Sequence, residues 1–204
     1  MLRIEATGLT IEPSNPDAIV TIATATVSSP SMAGLGTGTI TNFVLKQNGF
    51  TLGSLVLEPS PGKPVLFGNY LQLEGVKLTV TNLALVNGTL SGTVDLSLTN
   101  LELFPQATMF TTQVTGLTAH FDLADPGTQL RITIATFRLD IGEAVSLQAA
   151  NVVVTPGQPV LATIASLTVG SPTIAGVAPV QLTNFVLRTD GFSFSNLTLS
   201  LIHI

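Results

Sequence analysis

Hydrophobic and polar residues alternate along most of this chain. At its start the apolar positions are Leu2 and Ile4, followed by Leu9 and Ile11. A period of two places successive side chains on opposite faces of a β-strand, whereas an amphipathic helix needs a period of about 3.6 residues. No stretch of useful length has the helical period. The pattern therefore predicts an all-β protein with essentially no helix.

Many of the alternating runs contain the interrupted pattern apolar-x-x-apolar-x-apolar, with small or polar residues at the centre. The runs are residues 40–45, 98–103, 114–119, 134–139, 164–169 and 194–199. One extra residue turns every later side chain of a strand to the opposite face. A β-bulge in a long strand can restore the inward face, and so can a β-solenoid corner with Asn or Gly in the left-handed conformation. The pattern is compatible with both devices.

Three dipeptides predict hairpins between alternating runs: Asn48-Gly49, Asn87-Gly88 and Asp190-Gly191. A type I′ turn needs positive φ at both central residues, which Asn, Asp and Gly tolerate. Hairpins reverse the chain, and this favours antiparallel neighbours over parallel coils. We therefore predict a repetitive, elongated antiparallel β-meander of long kinked strands. A β-solenoid, or β-helix, is the alternative.

One ten-residue stretch occurs twice in the chain. Residues 41–50 read TNFVLKQNGF and residues 183–192 read TNFVLRTDGF, so seven positions are identical and Asn42 corresponds to Asn184, 142 residues later (184 − 42). Residues 145–149 also resemble residues 2–6. A fixed period of this kind is typical of repeat arrays, in which each unit packs on its neighbours. We predict that residues 1–58 begin one period, that 59–144 complete it, and that 145–198 begin a second.

The composition narrows the classes of function. Only 9% of the residues are charged, against about 25% in typical domains, while 45% are hydrophobic and the mean hydropathy is +0.55. No window has the roughly 18 uninterrupted apolar residues of a membrane-spanning helix, so no membrane-spanning segment is predicted. The net charge of −5 is spread along the chain without a basic cluster, which argues against nucleic-acid binding. The absence of cysteine excludes disulfides and thiolate metal sites.

Both ends of the sequence suggest truncation. Residues 1–7 lack the charged region and apolar core of a signal peptide, so the protein is either cytoplasmic or begins further upstream. Residues 199–204, LSLIHI, look like the in-frame translation of a sequencing adapter. We expect the native sequence to end near Thr198 and treat 199–204 as an artefact.

Histidine chemistry has one candidate, His120, because His203 lies in the suspect terminal segment. His120 alternates with Leu117, Ala119 and Phe121, which places it on the polar face of a strand together with Asp122. A solvated strand residue is the expected role.

Carboxylates are densest at Asp122, Asp125, Asp140 and Glu143. Two of them could serve glycoside hydrolysis, or the group could hold Ca²⁺, which takes six to eight oxygen ligands. No aromatic substrate platform accompanies them in the sequence, and the glycine-rich calcium repeat of β-rolls is absent. We therefore predict no catalytic, cofactor-binding or metal-binding residues, and no cofactor.

The repeats, the Thr-Asn-apolar-x-Leu corners and the low charge resemble the long β-repeat regions of very large, mostly uncharacterised bacterial surface or secreted proteins of adhesin-like character. The resemblance extends to about Thr198. It implies an extracellular or cell-surface location and a non-catalytic structural or adhesive role, with neighbouring repeats and cell-surface or matrix components as partners. Two alternatives are a hydrophobic-ligand (lipid) groove on an extended β-sheet, and a carbohydrate-active enzyme that uses Asp122 and Asp140.

Overall fold

The computed structural model describes residues 3–28, 35–60, 62–107, 109–124, 130–142, 144–171 and 177–201. All regular elements in this part of the chain are β-strands. The strands are β1 (Arg3–Thr7), β2 (Thr10–Ile11), β3 (Val20–Ser28), β4 (Leu35–Lys46), β5 (Gly49–Pro59), β6 (Val65–Phe67), β7 (Leu71–Glu74), β8 (Lys77–Val86), β9 (Thr89–Leu103), β10 (Phe110–Asp122), β11 (Arg131–Ile141), β12 (Val145–Val154), β13 (Val160–Gly170), β14 (Val177–Arg188), β15 (Gly191–Ser193) and β16 (Asn196–Leu201).

The sixteen strands form one antiparallel sheet in which most chain neighbours are also sheet neighbours. The order is β1-β3-β4-β5-β8-β9-β10-β11-β12-β13-β14-β15, with β2 beside β3, β16 beside β14, and β7 beside β6 and β9. Across the described strands the sheet is not closed. The prediction of an all-β antiparallel meander without helix is confirmed, and the β-solenoid alternative is not.

The chain forms two compact units. Unit 1 comprises residues 1–65, 74–97 and 120–129, and unit 2 comprises residues 66–73, 98–119 and 130–204. The long strands β9 and β10 contribute residues to both units. Of the terminal segment predicted to be an artefact, Leu199 lies in β16 and pairs with Val180 of β14, while residues 202–204 lie outside the described part of the chain.

The long strands are kinked where a single residue adopts the left-handed conformation. These residues, with φ between +51° and +64°, are Gly8, Asn42 and Asn82 in unit 1 and Gly116, Asn151 and Asn184 in unit 2. The strand pairing skips each such residue, as where Thr24 pairs with Thr41 and Ile22 with Phe43. A left-handed Asn or Gly, which the sequence analysis connects only with a solenoid corner, thus occurs along antiparallel strands instead.

Each left-handed residue faces a small residue on the next strand. A Cβ on Gly53 would stand 3.0 Å from the Cβ of Asn42, and a Cβ on Gly116 would stand 2.9 Å from the Cβ of Ala135. We call this line of alternating left-handed and small residues the crease. The interrupted sequence pattern follows from it, because Asn42 and Gly116 are left-handed and Ala135 and Ala165 supply the small partners.

Residues 20–59 and 162–201 pair in the same register. The partners Thr24–Thr41 and Thr41–Ser54 in the first segment correspond to Ser166–Thr183 and Thr183–Asn196 in the second. A ring stack also occurs at the same place in each segment. Its members are Phe43 and Phe50, with ring centroids 6.1 Å apart, and Phe185 and Phe192, with centroids 5.9 Å apart.

All three predicted hairpins are present, but their turns differ. Asn87 and Gly88 both have positive φ, at +52° and +78°, as a type I′ turn requires. In the other two hairpins the loop lies one residue earlier, at residues 47–48 and 189–190, because Lys46 pairs with Gly49 and Arg188 with Gly191. The glycine therefore begins the second strand in these two hairpins, and the predicted turn position is wrong by one residue.

Candidate functional site

The pairing register gives the sheet two chemically different faces. Residues paired across an antiparallel sheet project to the same side. One row across six strands of unit 1 contains only hydroxyl side chains: Thr7, Thr24, Thr41, Ser54, Thr81 and Thr93. The adjacent row, on the opposite side, contains only apolar side chains: Ala6, Ala25, Ile40, Leu55, Val80 and Val94. We call these sides the polar face and the apolar face.

The polar face carries hydrogen bonds between neighbouring hydroxyl groups. Thr41 and Ser54 are joined by an Oγ1–Oγ contact of 2.7 Å. Unit 2 has hydroxyl pairs of its own, Thr115 with Thr136 and Thr118 with Thr133, and we call the side that carries them the polar face of unit 2. These contacts link strands that already share a backbone ladder, and they keep the polar side chains in fixed positions.

The apolar face is only partly covered. Its best buried side chains, including Ala25, Leu52, Val80 and Ala149, retain 6–7% of their exposure, and no described side chain falls below 2%. Leu45 and Leu187, at equivalent positions in the two segments, are each 38% exposed. An ordinary domain packs such a face against a second layer. Across the described residues the apolar face therefore offers a surface to another hydrophobic body.

Two adjoining depressions lie on the polar face of unit 2. The first, of about 230 Å³, is lined by Glu102 and Leu103 of β9, by Phe104 and Pro105, and by polar and charged residues of β10 and β11. The second, of about 260 Å³, extends over β12 and β13 to Gln148 and Thr168. Gln113 and Arg138 line both. We refer to the two together as the polar groove.

Asp140 is the carboxylate of the polar groove. Its Oδ2 accepts a hydrogen bond of 2.6 Å from Nε of Arg138 and one of 3.4 Å from the hydroxyl of Thr111. Burial alone would raise the pKa of Asp140, but hydrogen bonds from Ser146 and Arg138, the charge of Arg138 and the bond from Thr111 together lower the pKa below its ordinary value. Oδ1 accepts no hydrogen bond from the described residues. Asp140 therefore stays ionised at neutral pH with one acceptor oxygen unused.

Three aromatic rings form a cluster at the β9 end of the polar groove. Tyr70 meets Phe104 edge to face with centroids 6.0 Å apart, and Phe104 meets Phe110 with centroids 5.2 Å apart. Phe104 has a φ of +53°, a strained conformation for a bulky residue. The amide of Phe104 donates a hydrogen bond of 2.7 Å to the carbonyl of Tyr70, and the carbonyl of Phe104 accepts one of 2.8 Å from the amide of Ala107. These two bonds hold the strained turn in place.

His120 lies on an exposed strand position, as the alternation predicts. Its Nδ1 is 2.6 Å from Oδ1 of Asp95, and both side chains are about half exposed. Asp122 does not take part in this contact, because its carboxylate accepts a hydrogen bond from the amide of Ala124 at 2.8 Å. No third catalytic or metal-binding group joins the pair within the part of the chain that the structure describes.

The four predicted carboxylates do not form one described site. Asp125 and Glu143 lie outside the described residues. Asp122 belongs to unit 1 and Asp140 to unit 2. Among the described residues no three His, Cys, Asp or Glu side chains are close enough to hold a metal ion.

The sequence did not reveal the aromatic cluster or most of the polar groove. Tyr70 and Phe104 are 34 positions apart (104 − 70), and Arg138, Gln148 and Thr168 lie on three successive strands. They adjoin because Arg138 pairs with Gln148 and Gln148 with Thr168. Only the strand register brings them together.

No family model, curated protein or solved structure matches this chain. Within the described residues, no helix is long and apolar enough to cross a membrane.

Proposed function

We propose that this chain is a non-catalytic structural or adhesive β-repeat segment of a larger secreted or cell-surface protein. The observation that carries the proposal is the shared register of residues 20–59 and 162–201, with equivalent partners, equivalent left-handed residues and an equivalent ring stack. A sequence that repeats its pairing at a fixed period specifies an array of strands. The resemblance to bacterial surface repeats supports the same role.

The edge of β16 indicates how such an array extends. β5 pairs with β4 on one side and with β8 on the other, where Ser54 is opposite Thr81. β16 is equivalent to the second half of β5 and pairs with β14 in the same way. The opposite edge of β16 therefore suits a strand equivalent to β8, supplied by a neighbouring repeat.

A longer protein, in which one further 142-residue period continues the order of strands, tests this proposal. In the test protein residues 57–198 follow Thr198, so that the strand equivalent to β8 comes next. In the control, residues 1–142 follow Thr198, which adds the same length out of phase. We expect the in-phase protein to unfold in one transition at a higher temperature than the parent, and its longest dimension in small-angle scattering to grow by up to roughly 40 Å, about 4.8 Å for each of eight added strands.

The control should unfold in separate transitions, because its added segment begins with a strand that does not fit the edge of β16. Equal melting behaviour and equal dimensions for the two extended proteins would count against the array.

The exposed apolar face favours a second function, the binding of a hydrophobic ligand such as the acyl chains of a lipid. Contiguous exposed apolar surface marks sites that bind hydrophobic partners. The supporting observation is the exposure of Leu187 and its cross-strand partner Phe192 in unit 2, and of Leu45 at the equivalent position in unit 1. In this function the apolar face of the sheet binds a ligand, whereas in the first function the sheet has a structural role.

A lipid with a fluorescent acyl chain tests the second function. Leu45→Lys and Leu187→Lys place a charge on the apolar face, whereas Val44→Lys places the same charge on the opposite, polar face. We expect the two leucine variants to lower lipid binding and the Val44 variant to retain it. The absence of lipid from extracts of the purified protein, together with unchanged fluorescence, would exclude this function.

A further inference from the structure

We infer that the polar groove of unit 2 binds a neutral oligosaccharide. The inference does not depend on the repeat array, because every residue that carries it belongs to the chain as it stands. The groove combines planar polar side chains, a fixed carboxylate and an aromatic cluster. Binding sites for small molecules typically combine apolar and aromatic walls with a few well-placed polar groups.

The floor of the groove matches a row of sugar hydroxyl groups. Gln113, Arg138 and Gln148 present planar groups with several donors and acceptors, and Thr168 adds a hydroxyl. Adjacent hydroxyls of a pyranose can each donate and accept, so a planar amide or guanidinium can bond two of them at once.

The aromatic end of the groove matches the apolar side of a sugar ring. Phe104 lines the first depression and is fixed between Tyr70 and Phe110. A ring held from both sides loses little conformational freedom when a ligand packs on it. The left-handed backbone of Phe104 costs free energy, and strain of this kind concentrates at functional sites.

The charge of the groove favours a neutral ligand. Arg138, the only cationic side chain lining the groove in the described part of the chain, is paired with Asp140, and Glu102 lies in the same depression. The groove therefore has no free positive charge for a uronic acid, a phosphate or a nucleic acid. The two volumes, about 230 and 260 Å³, are each below the range of about 300–1,000 Å³ for drug-sized pockets. Each depression suits a single sugar ring, so a chain of linked rings would cross several strands.

Tyrosine fluorescence gives a direct test. Tyr70 is the only tyrosine and the chain has no tryptophan, so the intrinsic emission comes from the aromatic cluster. The probes are the hexasaccharides of cellulose, chitin, xylan and mannan, with hexagalacturonic acid as the charged comparison. We expect at least one neutral hexasaccharide to change the emission and to show saturable binding by calorimetry. Hexagalacturonic acid should not bind.

Matched variants locate the binding. Thr168→Ala and Gln148→Ala each remove a groove contact and should weaken binding about fivefold to tenfold. Thr26 occupies the position in unit 1 that corresponds to Thr168, 142 residues earlier (168 − 26), so Thr26→Ala is the control and should bind like the parent. Circular dichroism confirms that each variant is folded.

The proposal is overturned if no neutral hexasaccharide binds at about 10 mM, a concentration that detects even the weakest specific sites. It is also overturned if hexagalacturonic acid binds better than the neutral probes, or if Thr26→Ala weakens binding as much as Thr168→Ala. None of these results would alter the thermal and scattering test of the repeat array, so the two proposals fail separately.

Discussion

The carbonyl oxygen of Leu85 lies so close to Gly49 that a Cβ added to Gly49 would stand 1.7 Å from it. The cause is the neighbouring strand, since β8 runs directly alongside the start of β5. The equivalent glycine of the second segment, Gly191, has no described atom within 4 Å of such a Cβ. The equivalent hairpins therefore differ in how much space there is for a side chain at the glycine: there is none at Gly49, whereas no described atom obstructs one at Gly191.

We expect Gly49→Ala to destabilise the protein by more than about 3 kcal/mol, because the clash with backbone cannot be relieved by a side-chain rotation. Gly191→Ala is the matched control. It carries only the backbone cost of a non-glycine residue at a φ of +156°, and we expect it to lose about 1–3 kcal/mol. Urea unfolding followed by circular dichroism measures both. Similar losses in the two variants would show that β8 does not constrain Gly49.

The left-handed residue of the crease gives a second prediction. Asn42→Gly should leave the free energy of unfolding nearly unchanged, because Gly adopts a φ of +51° readily. Asn42→Val should lower it by about 2 kcal/mol or more, since a β-branched residue is strongly disfavoured there. Thr39→Val, on the same strand but outside the crease, serves as the control and should change stability by less than about 0.5 kcal/mol. A well-tolerated Asn42→Val would argue against the kinked strand.

The contact between Gly116 and Ala135 gives a third prediction, which a double-mutant cycle can test. Gly116→Ala brings two Cβ atoms to 2.9 Å and should destabilise unit 2. Adding Ala135→Gly removes the second Cβ, so the double variant should recover the part of the loss due to the clash, while the cost of an alanine at a φ of +60° remains. If the changes in the free energy of unfolding of the two single variants simply add up in the double variant, the two residues do not interact sterically.

The pH dependence of Asp140 gives a fourth prediction. The pKa of Asp140 is lowered in the folded protein from the ordinary value of 3.8, so the unfolded chain binds the proton more readily. The stabilisation due to Asp140 is therefore fully present above pH 3.8 and is lost as the pH falls through the folded pKa. We expect Asp140→Asn to be less stable than the parent at pH 7, and the difference to shrink progressively below about pH 4. A difference that is constant from pH 7 to pH 2.5 would contradict the ionised pair with Arg138.

The sequence predicts the strands and their kinks because both depend on local residue order. The alternation predicts the strands, Asn-Gly and Asp-Gly predict the hairpins, and the interrupted pattern around Asn42 indicates an irregularity, either a β-bulge or a left-handed residue. The exact turn position is not predicted: in the hairpins of Gly49 and Gly191 the loop lies one residue earlier than the dipeptide indicates. The contact of Gly49 with β8 does not explain the difference, because Gly191 has no such neighbour and its turn lies at the same place.

The polar groove could not be predicted in the same way. Arg138, Gln148 and Thr168 look like ordinary solvent-facing residues in three separate strands. They become one surface only when the register of β11, β12 and β13 is known, and that register is a property of the paired strands rather than of any one of them. The four carboxylates selected from the sequence, of which Asp140 is one, are close together in the chain. In the structure, however, Asp140 forms hydrogen bonds with Thr111 and Ser146, which lie on other strands.

The matching registers also affect how the protein folds. The second halves of β4 and β14, residues 41–46 and 183–188, carry nearly the same residues, so the strand segment of β3 that pairs with residues 41–45 also fits the corresponding part of β14. Pairing with β4 closes a much shorter loop and has the smaller entropic cost, so the local hairpin forms first in a dilute chain. At high concentration the corresponding strand of a second molecule competes, and exchange of equivalent hairpins between chains becomes a characteristic route to misassembly.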